Sequence, residues 1–181
     1  MKHKKIKNTI LIAAAFVAAI YIYRINEASK ISHELSNQYN LSPAEMSTIS
    51  IIHNSGVAPE EINDYIKFSD ETRCTFLSLS KMGIVGISSN HELLISRAQM
   101  EKINVMYSSI PEEKWDLAIG LWSIGSGTRV DVDANSYITH PYKMLVDRGL
   151  ARPVVSQPPL YRAAYYPTYK GKLISSFFHC N

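Results

Sequence analysis

Cysteine is scarce: Cys74 and Cys180 are the two in 181 residues, too few for a disulfide framework. Cys74 falls in a helical stretch, where a small buried thiol is the plain expectation. A bridge to Cys180 requires a compartment outside the cytoplasm. Metal-ligand spacing is missing too. The histidines at 3, 33, 53, 91, 140 and 179 form no paired set, and His179-Cys180 is a single adjacent pair, so no metal is expected. Asp131-x-Asp133-x-Asn135 matches the first three ligands of a calcium loop, but Ser136 stands where that loop needs glycine and Tyr142 where it needs glutamate. Ser123, in Gly120-Leu-Trp-Ser-Ile-Gly125, is not on a nucleophile elbow. Gly125-Ser-Gly127 lacks the lysine and the spacing of a phosphate loop. The sequence thus offers no catalytic residue and no cofactor-binding residue, and the expectation is a non-enzymatic protein without a cofactor.

Excess charge is missing as well, once its location is considered. The formal net charge is +3, but six of the 19 Lys/Arg and one of the 16 Asp/Glu lie in residues 1–30, which leaves the other 151 residues slightly acidic. The basic balance belongs to the N-terminal segment and gives no support to a nucleic-acid partner for the rest. With 46% hydrophobic and 19% charged residues, the remainder is composed to fold rather than to stay disordered.

What is present begins with an apolar run, Ile10 to Tyr23, preceded by Lys2, Lys4, Lys5 and Lys7 and closed by Arg24. Fourteen residues make about 21 Å of helix against a hydrocarbon core of roughly 30 Å. Three readings are open. An uncleaved anchor is favoured by Tyr21 and Tyr23 as interfacial residues and by lysines able to snorkel. A cleaved signal would use Val17-Ala18-Ala19 and start the product at Ile20. A buried soluble helix is the third. On the anchor reading residues 1–24 are a cytoplasmic tail and membrane span, and 25–41 a polar juxtamembrane helix or spacer. Four lysines before the run against Arg24 and Lys30 after it place the N-terminus in the cytoplasm of a single-pass inner (cell) membrane protein. The bulk of the chain is then extracytoplasmic.

Beyond the spacer the signals are local and readable. Ser42, Pro43 and Glu45 form a helix start with a capping box, and Met46, Ile49 and Ile52 give its apolar stripe. Pro59-Glu60-Glu61 opens a second short helix with Ile62, Tyr65 and Ile66 inward. Ser69 caps a third, in which Phe76, Leu79 and Met82 share a face. Gly83 ends it. Ile84, Val85 and Ile87 suit a strand, Leu93 to Ile95 its return, and Ser96 with Gln99 caps the next helix. Phe76, Leu79, Gly83, Ile84 and Val85 in this setting resemble the winged helix-turn-helix superfamily. The resemblance implies three helices and a wing over 42–106, with the third helix as the one that enters a DNA groove in that family. Five basic against eight acidic residues over 41–106 suit a phosphate backbone poorly.

The pattern recurs. Tyr142, Leu145, Gly149 and Leu150 stand 66 residues after Phe76, Leu79, Gly83 and Ile84, and Thr168 takes the capping place of Ser96. A second winged-helix-like unit over 107–181 is expected, with a wing six residues longer. It is degenerate, because Gly125 to His140 is rich in β-branched and Asp residues where a second helix should be, and Pro141 would sit within the third.

Its C-terminal stretch, 148–181, holds Arg148, Arg152, Arg162, Lys170 and Lys172, with no acidic residue, interleaved with Tyr161, Tyr165, Tyr166 and Tyr169. Those cations among aromatics suit phosphate and stacked bases or anionic headgroups, and cross-strand packing is the structural alternative. The expected class is α+β: a membrane helix followed by two winged-helix-like units. The expected function is a membrane-tethered module that binds a protein partner. The alternative is a membrane-anchored winged-helix transcription regulator that binds DNA from the cytoplasmic side.

Overall fold

A computed structural model of the chain describes residues 2–55, 70–89, 93–125, 130–133, 139–154 and 162–178. The expected second helix over 59–66, and with it Ser69, lies outside the described residues, as does Cys180. The chain divides into two compact units, residues 1–34 and 35–181.

The first unit is helical throughout its described residues: α1 (Lys2–Leu35) runs on past Arg24, so of the two alternatives for the polar stretch, helix or spacer, it is helix as far as Leu35. No glycine or proline interrupts residues 2–35, and Lys30 pairs with Glu27 at 2.7 Å one turn apart. Its stretch Thr9–Leu35, 27 residues, is long and apolar enough to cross a membrane. At 1.5 Å per residue that is about 40 Å of helix, of which the uncharged run Ile10 to Tyr23 makes about 21 Å, because Arg24, Glu27, Lys30, His33 and Glu34 all fall within the remainder. The helix stops at Leu35 because Asn37 offers the backbone other partners. Its Nδ2 donates to the carbonyls of Leu35 and Leu41 at 3.1 and 3.3 Å, and its Oδ1 accepts from the amides of Tyr39 and Leu41. Asn40 then takes a left-handed φ of 54° to turn the chain.

The second unit is mixed α+β and mostly helical. In chain order it comprises α2 (Pro43–Asn54), α3 (Asp70–Lys81), β1 (Gly86–Ile87), β2 (Leu93–Leu94), α4 (Arg97–Ser109), α5 (Glu112–Gly125), β3 (Val130–Asp133), α6 (Thr139–Asp147), β4 (Ala151–Val154), β5 (Arg162–Pro167) and α7 (Tyr169–Ser175). The start of α2 is the one the sequence announces: Glu45 N–H donates to Ser42 Oγ at 3.3 Å and Ser42 N–H to Glu45 Oε2 at 2.6 Å. α2 packs on α3, α4 and α5, and α5 also receives α6 and α7. The core accordingly centres on Met46, Ile49 and Ile52 of α2 and Trp115, Leu117, Leu121 and Ile124 of α5, all buried.

The 66-residue echo has a geometric counterpart. Gly83 and Gly149 both hold a left-handed φ, +65° and +67°. Ile84 N–H donates back to Leu79 O and Gly83 N–H to Ser80 O, each at 2.9 Å; Leu150 N–H donates to Leu145 O at 2.8 Å and Gly149 N–H to Val146 O at 2.9 Å. This pair of bonds closes a helix whose next residue must be left-handed, which glycine alone adopts without strain. The apolar residues around it, Phe76, Leu79 and Ile84 in one copy and Tyr142, Leu145 and Leu150 in the other, are buried.

The copies differ where the sequence departs. β1 and β2 make a minimal antiparallel hairpin, Gly86↔Leu94 and Ile87↔Leu93, shorter than the strands expected from Ile84 to Ile87 and Leu93 to Ile95. In the second copy the β-branched stretch after Gly125 supplies a strand, β3, and the sheet order is β3-β5-β4, antiparallel throughout. Pro141 is tolerated in α6 because it falls in the first turn, where the amide has no intrahelical partner to lose.

Cys74 on α3 is half-buried and disulfide-bonded, which corrects the expectation of a buried free thiol.

Candidate functional site

The basic C-terminal stretch is assembled by the closing turn of α6, the β4–β5 hairpin and α7. Thr168 is the hinge of this junction. Its Oγ1 donates to the carbonyls of Gly149 and Leu150 at 2.7 and 3.1 Å and its N–H to Leu150 O at 2.9 Å, and Gly171 N–H donates to Thr168 Oγ1 at 3.0 Å. Ser96, in the matching place before α4, accepts from the Gln99 N–H with its Oγ and donates its own N–H to Gln99 Oε1. In α7 the equivalent third position is Gly171, and Leu150 O takes over the role of the missing side chain. The first turn of α7 is thereby pinned against Gly149 and Leu150.

Four of the five expected cations lie within two residues, along the chain, of the Gly149, Leu150 and Gly171 that form that junction. Arg148 follows α6 and is half-buried, Arg152 is exposed on β4, Lys170 is half-buried and Lys172 exposed on α7. Arg152 is the register partner of Tyr166, and its guanidinium carbon lies 5.7 Å from the centre of that ring, within the range of a cation–π contact. Arg162 is placed elsewhere. It begins β5, four residues or about 13 Å of strand from Tyr166, and its register partner is Asp133. The folded chain therefore brings acidic β3 beside a stretch that is wholly basic in sequence.

Tyr165 has a packing role. Its ring stacks on Tyr142 at 5.1 Å between centres and 17° between planes. Burial raises the Tyr142 hydroxyl above its ordinary 10.0, a hydrogen bond with Ser123 pulls it back, and Tyr165 pushes it up again. A phenol whose folded pKa is raised stabilises the fold fully below the unfolded value, and that contribution is lost as pH rises through the higher folded one. Stability should therefore fall above about pH 10, and less steeply in Tyr142→Phe. Alkaline urea melts followed by circular dichroism check this; identical slopes would count against it.

A second cluster escapes sequence reading altogether. His53 of α2 stacks on Tyr107 of α4 at 3.9 Å, and Tyr107 on Trp115 of α5 at 4.9 Å. His53 Nδ1 lies 2.8 Å from Asn104 Oδ1, and Trp115 Nε1 donates to the carbonyls of Tyr107 and Ile110 at 3.1 and 3.2 Å. Three rings from three helices form a structural clamp, with every polar atom of the indole satisfied. No sequence spacing links position 53 to 107. Among the described residues no three His, Cys, Asp or Glu side chains come together as metal ligands would. No protein-family model, curated protein or solved structure matches this chain.

Proposed function

We propose that the chain is a membrane-tethered module with its folded part outside the cytoplasm, where two winged-helix-like units serve protein–protein interaction rather than catalysis. The observation that carries the compartment is the disulfide at Cys74. Cytoplasmic thiols are kept reduced, and bonded cysteines persist in oxidising compartments. The tether is supported by the stretch Thr9–Leu35 of α1, long and apolar enough to cross a membrane, and the orientation by the four lysines that precede it. The winged-helix reading draws on the matched helix endings at Gly83 and Gly149, each followed by an antiparallel hairpin and a capped helix. The acidic balance of 41–106 favours a protein partner over DNA.

The test is topological. A reporter enzyme active only outside the cytoplasm, fused after Asn181, should be active in cells, and the unreduced chain should show no titratable thiol after denaturation. A silent reporter, with a cytoplasmic reporter lit at the same position, would reverse the orientation and return the chain to the DNA-binding alternative. N-terminal sequencing that began at Ile20 would replace the tether by a cleaved signal.

A further inference from the structure

We infer that the junction of β4 and α7 is a surface for anionic phospholipid headgroups, an inference that rests on the membrane tether proposed above. Two cations are exposed here, Arg152 and Lys172, in a stretch from 148 to 181 that carries five basic residues and no acidic one. Exposed aromatics accompany them: Tyr169 opens α7 with 71% of its surface accessible, and Phe177 just beyond it keeps 39%. The other side of α7 is fixed in the core through Gly171, Ile174 and Ser175. The exposed side of this short helix therefore presents Tyr169 and Lys172 together, with Phe177 just beyond its end. Rings with a polar or cationic neighbour settle at the level of lipid headgroups, and each basic residue near an anionic leaflet adds attraction.

Lipid is preferred over nucleic acid for two reasons. The span-length helix α1 puts a bilayer at hand. Tyr165 is stacked on Tyr142 and the Tyr166 ring has the Arg152 guanidinium within cation–π range, so neither is a bare platform for bases. Arg162, drawn to the far end of β5 beside Asp133, is not part of this surface.

The experiment uses the full chain in nanodiscs of phosphatidylcholine alone or with about one third phosphatidylglycerol, an anionic content that sets up the surface potential in question. Co-elution with both discs tests the tether by itself. Hydrogen exchange of peptides covering 162–178 tests the surface. Slower exchange is expected in the anionic discs, and raising salt from about 0.1 M to about 1 M, which shortens the screening length from about 10 to about 3 Å, should remove the difference. Arg152→Gln with Lys172→Gln should reduce the anionic preference by up to about 30-fold, at about 1 kcal/mol for each basic residue. Lys172 is exposed and Arg152 gives up only its contact with the Tyr166 ring, so the variant should keep the fold, and unchanged exchange in α5 verifies that. Equal exchange in the two discs would overturn the inference while leaving the tether intact. Protection of the same peptides by a single-stranded oligonucleotide in phosphatidylcholine discs would give the surface to nucleic acid instead. A chain that co-elutes with neither disc would remove the tether and this inference with it.

Discussion

Gly171→Ala should destabilise the folded unit by about 3 kcal/mol, the upper part of the range for an overpacked site. A β-carbon built on Gly171 would stand 1.9 Å from Leu150 O and 2.9 Å from its carbonyl carbon. Those are backbone atoms, and the same carbonyl accepts from the Thr168 amide and hydroxyl, so it cannot move aside without releasing the cap of α7. Gly149→Ala is the comparison. It carries the left-handed φ of +67° but has no atom within 4 Å of the added carbon. Only the conformational penalty of about 1–2 kcal/mol then applies. Urea melts of the full chain in detergent, read by the combined fluorescence of buried Trp115 and half-buried Trp122, would rank the two. A Gly171→Ala midpoint at or above that of Gly149→Ala would mean that the α7–Leu150 approach is looser than described.

Leu79→Ala and Leu145→Ala should each cost about 2–5 kcal/mol, the range for a leucine truncated in a packed interior. Both are fully buried at the same station, four residues before a left-handed glycine. Leu145 also fills the space left by Gly120 on α5, where an added β-carbon would lie 3.0 Å from Leu145 Cδ1 and 3.1 Å from Pro141 O. Gly120→Ala should therefore be harmful alone and less harmful beside Leu145→Ala, a coupling that a double-mutant cycle in the same melts would measure. A loss below about 1 kcal/mol for either leucine is the size of a surface change and would remove the apolar stripe from the core.

The features legible in the sequence are those whose cause lies within a few residues. Ser42 with Glu45, Ser96 with Gln99 and Thr168 are caps because each hydroxyl meets an amide three positions on. Gly83 and Gly149 are endings because the last turn needs a left-handed residue. What escaped the sequence depends on distant partners. β3 exists because β5, some 30 residues later, pairs Val130 with Tyr165 and Asp133 with Arg162. The same pairing splits Arg162 from the other cations, and no local pattern encodes that. The stack of His53, Tyr107 and Trp115 needs three helices to meet. The extension of α1 to Leu35 is one of the two alternatives, helix or spacer, that the polar residues after Arg24 leave open, and helix continuity requires only that nothing breaks it.

The packing of α2 on α5 bears on where the folded unit can be cut. Met46, Ile49 and Ile52 of α2 and Trp115, Leu117, Leu121 and Ile124 of α5 are buried in one core, and α5 meets α6 and α7 as well. A fragment that stopped before α5 would leave the α2 side of that core open to water. Truncation between α4 and α5 therefore yields two sticky pieces rather than two independent ones.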